Sequence, residues 1–266
     1  MLKILFVGDI SGRIGRQTVV KILPKMKKKG KIDLVIANAE NSAHGSGVTE
    51  STIKELSAAG IDWFTTGDHA FKANKNFDVF DKYPLLRPAN FSIQAPGKGY
   101  ALFEYKNNRI LLINLIGRVF MAMDYEDPFT KLDEILANSS LPKKNLSAII
   151  VDIHGECTAE KVAMKYYADG RVSAVLGTHT HIMTADADIT DQGTAYITDV
   201  GMTGAADGIL GVEKEGIIKT FLTQIKNQHI IPEKGRAIFN AVLLTIDPAS
   251  GRTKSINPIL KYIDIK

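Results

Sequence analysis

Short apolar runs alternate along this chain with longer stretches whose apolar residues return every three or four positions. Residues 4–7, 34–39 and 61–66 are runs of strand length, while 17–29 and 51–59 carry helical spacing, the first having to accommodate Pro24. Residues 100–105 and 109–115 flank Asn107-Asn108 and predict a hairpin with a short turn. The early rhythm returns as a strand at 148–153, a helix at 159–168 and a strand at 172–176, with a further strand at 194–198. The glycine-rich stretch 201–216 reads as a loop, and 238–246 with 254–262 as a closing antiparallel pair. Parallel alternation followed by antiparallel strands predicts a mixed α/β layered fold. With no linker or repeat in sight, residues 1–266 read as one domain.

Composition narrows the class. The chain has 266 residues, 45% hydrophobic and 23% charged, enough to build a sizeable core. No apolar run approaches the roughly 20 residues of a membrane span. The start, Met1-Leu2-Lys3-Ile4-Leu5-Phe6-Val7-Gly8-Asp9, lacks a small-residue cleavage site and reads as a first strand. The single cysteine, Cys157, excludes an internal disulfide and suits a reducing cytosol, so a cytoplasmic location is expected. A net charge of +4 permits anionic substrates without requiring a nucleic-acid surface. The lysines at 25, 27, 28, 29 and 31 read as the solvated end of a helix stopped by Gly30.

Chemistry collects at the strand ends. Successive predicted strands run into Gly8-Asp9, Ala39-Glu40-Asn41, Gly67-Asp68-His69, Asp152-Ile153-His154 and Gly177-Thr178-His179-Thr180-His181. On an extended segment His179 and His181 point to the same side. In a mainly parallel sheet the carboxyl ends share one edge, where ligands bind. The donors Asp9, Glu40, Asn41, Asp68, His69, His154, His179 and His181 are oxygen and imidazole nitrogen without thiolate, which suits Mn, Fe or Zn. They are too many for one ion and suit two, about 3.5–4 Å apart, bridged by a carboxylate. Such a pair polarises a phosphoryl group and ionises a bridging water into a hydroxide nucleophile. His69 is the candidate proton donor, because its neighbour Asp68 already occupies the ligand position.

In this order these motifs resemble the calcineurin-like metallophosphoesterase superfamily, and within it the bacterial YmdB-like branch. The stretches 8–16, 39–45 and 194–204 carry the likeness, which runs from the first strand to about Val212 and more loosely to the end. The resemblance implies a four-layer α-β-β-α sandwich of two mixed sheets. It also implies a cytoplasmic, metal-dependent phosphodiesterase that hydrolyses 2′,3′-cyclic nucleotides to nucleoside monophosphates. By position, Asp9, Glu40, Asn41 and His181 would hold the first ion. Glu40, Asp68, His154 and His179 would hold the second, with Glu40 bridging and His69 as acid. Iron leads among the metals, with manganese or zinc as alternatives. The superfamily histidine two residues after the first aspartate is replaced by Ser11, an absence the branch shares, with Asn41 used instead. One departure concerns this chain: the third motif is normally Gly-Asn-His, and here it is Gly67-Asp68-His69.

Two other functions stay open from sequence: a broad phosphomonoesterase with the same centre, and a catalytically weakened, metal-dependent nucleotide-binding regulator. No membrane partner is expected. A homo-oligomer stays open, as does an RNA target, although no aromatic-and-basic stripe supports the latter. Among the remaining residues, His44 reads as a loop residue, His229 as a surface residue and Cys157 as an inert small residue. Asp186 and Asp199 are candidates to orient a ligand imidazole through its second nitrogen. Gly12 and Gly15, next to Arg16, open the first helix near Asp9 and predict a tight backbone approach.

Overall fold

The computed structural model describes residues 1–73, 77–139 and 146–266. In chain order these form β1 (Leu2–Val7), β2 (Asp9–Ile10), α1 (Gly12–Gly30), β3 (Leu34–Asn38), α2 (Glu50–Ala58), β4 (Trp63–Thr65), α3 (Val79–Lys82), β5 (Tyr100–Tyr105), β6 (Asn108–Ile116), α4 (Pro128–Ala137), β7 (Ala148–His154), α5 (Thr158–Tyr167), β8 (Ala174–Thr178), β9 (Asp188–Ile189), β10 (Ala195–Ile197), β11 (Met202–Ala205), α6 (Lys214–Thr223), β12 (Gly235–Ile246) and β13 (Thr253–Ile265).

Two mixed sheets result. The first runs β2-β11-β12-β1-β3-β4, with β13 along the other flank of β12. The second runs β5-β6-β7-β8-β10-β9. Side-chain alternation explains why the sheets stack. Ile4, Phe6, Leu34 and Ile36 face one way and pack with Ile110, Leu112, Ile150 and Leu176 of the second sheet. Their neighbours Leu5, Val7, Val35 and Ala37 face the other way, against Val19 and Leu23 of α1 and Ile53 and Leu56 of α2. On the far side, Leu111, Ile113, Val151 and Val175 pack with Leu132 and Ile135 of α4 and Met164 of α5. A strand buried on both faces reads as continuous apolar sequence, which is what β1, β3 and β7 show. The result is the expected four layers, helix, sheet, sheet and helix. Phe6 is fully buried at the centre, and truncating it to alanine would cost about 3–5 kcal/mol.

Several boundaries differ from expectation, each for a local reason. The hairpin register pairs Tyr105 with Asn108, so the turn is Lys106-Asn107. Both turn residues have positive φ, 45° and 65°, as a two-residue turn that follows the strand twist requires. Helix α1 starts at Gly12, and the left-handed residue beyond it is Lys31, with φ 50°, not Gly30. Gly15 does make the expected close approach, since a Cβ there would lie 2.3 Å from the Thr203 carbonyl oxygen. The stretch 201–216 is not all loop, because β11 and the start of α6 lie within it. Helix α4 went unread in the sequence although its start is well marked: Asp127 accepts from the Phe129 N–H at 2.8 Å, and Pro128 opens the first turn. Among the described residues no helix is long and apolar enough to cross a membrane.

Candidate metal centre

Parallel pairing brings the carboxyl ends of β1, β3 and β4 to one edge of the first sheet and those of β7 and β8 to the matching edge of the second. Asp9 lies in β2, Glu40 and Asn41 follow β3, and Asp68 and His69 follow β4. His154 closes β7, and His179 and His181 follow β8. All eight predicted residues meet there.

Four of them form a tight group. Glu40, Asp68, His154 and His179 each offer a ligand atom, all within 4.8 Å of one another. His154 Nε2 lies 3.2 Å from Glu40 Oε1 and 3.3 Å from Asp68 Oδ1, and His179 Nδ1 lies 3.0 Å from it. The other set adjoins this group. The Asn41 amide nitrogen donates to Glu40 Oε1 at 3.1 Å and lies 3.2 Å from His181 Nε2. Asp9 Oδ2 accepts from the His179 N–H at 3.2 Å. His69 is more open than His154 and His179, its side chain 27% exposed against 0% and 23%. Its Nδ1 donates to Asn41 Oδ1 at 2.7 Å, its Nε2 is 3.3 Å from Asp68 Oδ2, and its N–H donates to Glu40 Oε2 at 3.1 Å. Gly67 keeps this junction clear: a Cβ there would lie 2.1 Å from His154 Cδ2 and 2.3 Å from Glu40 Oε2.

Each histidine of the second sheet has an outer partner that fixes which nitrogen faces inward. His154 Nδ1 donates to Thr178 Oγ1 at 2.9 Å, and that hydroxyl donates to Asp152 Oδ1 at 2.7 Å. Asp152 is further held by Thr65 and Asn38. His181 Nδ1 donates to the Leu210 carbonyl at 3.1 Å, and His179 Nε2 lies 3.2 Å from Glu156 Oε2. Such partners set the tautomer and leave the other nitrogen's lone pair for a cation. Asp186 and Asp199 do not have this role. Asp186 accepts from Thr184 and Thr198, and Asp199 accepts from Thr180, Gly201 and Lys161. The sequence did carry a signal for Asp152, which stands two residues before His154 on one strand and so faces the same way. It carried none for Leu210, which acts through its backbone. His44 and His229 are exposed.

Electrostatics show what the group lacks. Burial pushes the Asp9 carboxyl up to about 7, against the pull of His181 and His154. Burial would also raise Glu40, but the charge and hydrogen bond of His154 outweigh it and hold Glu40 below its ordinary value. Burial likewise opposes the shift at Asp68, yet His154, His69 and His179 keep that carboxyl far below the usual range. His154 is held protonated, well above its ordinary value: burial opposes this, and Glu40 and Asp68 overcome it. Asp9 Oδ1 is buried and has no hydrogen-bond partner among the described residues. An unsatisfied buried carboxylate oxygen is costly, and a cation would satisfy it. Buried oxygen and imidazole donors aimed at one another therefore fit metal ions.

The chain matches the YmdB-like protein family over residues 5–259. It belongs to that family. It is 44% identical over 260 residues, 97% of each chain, to a 2′,3′-cyclic-nucleotide 2′-phosphodiesterase of Bacillus subtilis (strain 168). Among solved structures, a hypothetical protein of Thermus thermophilus superimposes with a TM-score of 0.91 at 36% identity, covering 98% of this chain and 99% of that one. A crystal structure described as a novel phosphatase from Mycoplasma pneumoniae gives a TM-score of 0.90 at 33% identity, covering 99% and 94%. In this YmdB-like protein the aspartate of Gly67-Asp68-His69 sits inside the metal-binding group and touches both His154 and His69.

Proposed function

We propose that the chain is a dinuclear-metal phosphodiesterase that opens 2′,3′-cyclic nucleotides. The observation that carries this is the convergence of Glu40, Asp68, His154 and His179 within 4.8 Å, in a chain 44% identical over 97% of its length to a phosphodiesterase of that kind. Glu40, Asp68, His154 and His179 would hold one ion, and Asp9, Asn41 and His181 the other, with Glu40 shared. Bound ions would supply Lewis acidity toward the phosphoryl group and lower the pKa of water. The oxygen and nitrogen donors suit iron, manganese or zinc alike, and the family resemblance puts iron first. The lone Cys157 and the absence of a disulfide fit a cytoplasmic location.

The chain's own residues do the rest. Water attacks phosphorus, the bond to one ribose oxygen breaks, and His69 protonates that oxygen to leave a monoester. The name of the Bacillus relative specifies the 2′ ester, so a 3′-monophosphate is the expected product. The Asn41 amide orients the acid: its Oδ1 accepts from His69 Nδ1 at 2.7 Å, which fixes the ring and leaves Nε2 as the nitrogen that gives up a proton. Asp68 adds negative charge where the family carries an amide, which strengthens metal binding and weakens Lewis acidity. Asp68→Asn should therefore change the turnover rate and the metal preference, and a variant identical to wild type in both would remove this role.

The test of the function compares 2′,3′-cyclic AMP, a linear diester and 3′-AMP as substrates with Mn²⁺- or Fe²⁺-loaded protein. Rapid conversion of the cyclic compound alone is expected. Preference for 3′-AMP would make the protein a phosphomonoesterase, and no turnover of any of the three would end the proposal.

A further inference from the structure

Behind the histidines lies a buried ion pair that takes no part in the reaction above. Lys161 of α5 and Asp199, following β10, meet at 3.0 Å, with side chains 1% and 0% exposed. Asp199 Oδ2 also accepts from the Thr180 N–H at 2.9 Å and the Thr180 hydroxyl at 2.7 Å. Lys161 Nζ also donates to the Thr178 carbonyl at 3.1 Å. The pair thus grips the chain on both sides of His179 and just before His181.

That grip coincides with strain. His179 and His181 have φ of 101° and 67°, in the left-handed region that residues with a Cβ rarely adopt. Such conformations persist only where the surroundings over-determine them. Here the unusual backbone lets two residues of one short loop aim their imidazoles at different neighbours, His179 at Asp68 and His154, His181 at Asn41. The same carboxylate reaches the first sheet as well. Asp199 Oδ1 accepts from the Gly201 N–H at 2.8 Å, and the Gly201 carbonyl accepts from the Asp9 N–H at 3.1 Å. A buried ion pair is a poor source of stability, because apolar residues of similar volume often serve as well. What it supplies is a fixed acceptor at one point.

We propose that Asp199 and Lys161 are positioning residues for both ions, locking the His179–His181 loop and the Asp9 segment to one shared anchor. The inference rests on the ligand assignment proposed above. It is tested by calorimetric titration of the metal-free full chain with Mn²⁺, alongside thermal unfolding of the same samples. Thr180→Val keeps the branched shape and the backbone donor but removes the hydroxyl. The double variant Lys161→Met/Asp199→Asn removes both charges together and leaves no lone buried charge. Each should weaken both Mn²⁺ sites by about 10–100-fold, the usual effect of losing a partner behind a ligand. In a folded variant the metal-free melting temperature should change little. A purely structural pair would lower that temperature and leave Mn²⁺ affinity intact, and that result overturns the proposal. If the double variant does not fold, Thr180→Val decides alone. A wild-type protein that binds fewer than two Mn²⁺ ions would instead strike the ligand assignment itself.

Discussion

The two sheets bring opposite chemistry to the centre. The first supplies the oxygen side, Asp9, Glu40, Asn41 and Asp68. The second supplies the nitrogen side, His154, His179 and His181. The oxygen side is not internally satisfied, since among the described residues Asp9 Oδ1 has no hydrogen-bond partner and Glu40 is buried beside Asp68. The nitrogen side is buttressed, each imidazole held from behind by Thr178 and Asp152, Glu156 or the Leu210 carbonyl. One side is pre-aimed, and the other waits for positive charge, which in the metal-free protein comes from the proton held on His154. His69 is the exception, an imidazole on the oxygen side, and it is the one assigned to give its proton away.

The most severe way to break this pairing is to remove the ions. Chelation should abolish turnover and loosen the seam between the sheets. At a free ion concentration 1,000 times the dissociation constant, binding contributes about 4 kcal/mol, so the melting temperature should fall on the order of 10 °C when the ions are stripped. An unchanged melting temperature would mean that the ions do not join the sheets. Next in size is the exception itself. His69→Ala should lower kcat by about 10²–10⁴-fold while both ions stay bound, and metal analysis of the same sample would expose a ligand role instead. The support of the nitrogen side comes third. Asp152→Asn or Thr178→Val should weaken metal binding by about 10–100-fold, read by calorimetry, with His154 still in place.

The smallest effect sharpens the contrast. Asp9, raised to about 7, and His154, held protonated, both carry protons that a cation must displace. Binding should therefore release on the order of one proton or more at pH 7. Apparent affinity should climb as pH rises through 7 and fall in acid. Titrations in two buffers of different ionisation heat give the proton count, and a count of zero would show that the carboxylates are already ionised and satisfied.

The donors were legible in sequence because each ends an apolar run, and a strand that is buried along its length must stop where polar residues begin. Glu40 after Leu34–Asn38 and His154 after 148–153 follow this rule. The layering was legible from the same runs, since β1, β3 and β7 are apolar on both faces. The outer partners were harder. Lys161 sits at an ordinary helical position, and only its neighbour Asp199 across the fold makes it a buried cation. The Leu210 carbonyl carries no side-chain signature. Asp186 and Asp199 both read as candidates to orient an imidazole, with turn capping open for Asp186; in the fold Asp186 holds Thr184 and Thr198, and Asp199 holds Thr180 between two of the histidines, neither touching a ring nitrogen. Helix α4 was legible but went unread: Asp127 and Pro128 mark its start, and Pro128, Leu132 and Ile135 return at helical spacing on its buried face.

Gly67 gives the centre an unusual dependence on a single absent atom. Its backbone dihedrals are not left-handed, so an alanine there would meet no conformational objection. The objection is space alone, because the added methyl would occupy the gap between His154 and Glu40. Loading and folding are thereby separable at one position. A methyl at 67 leaves the four layers free to assemble around a hole too small for its guests, while the loop carrying Asp68 and His69 is pushed away from its counterparts.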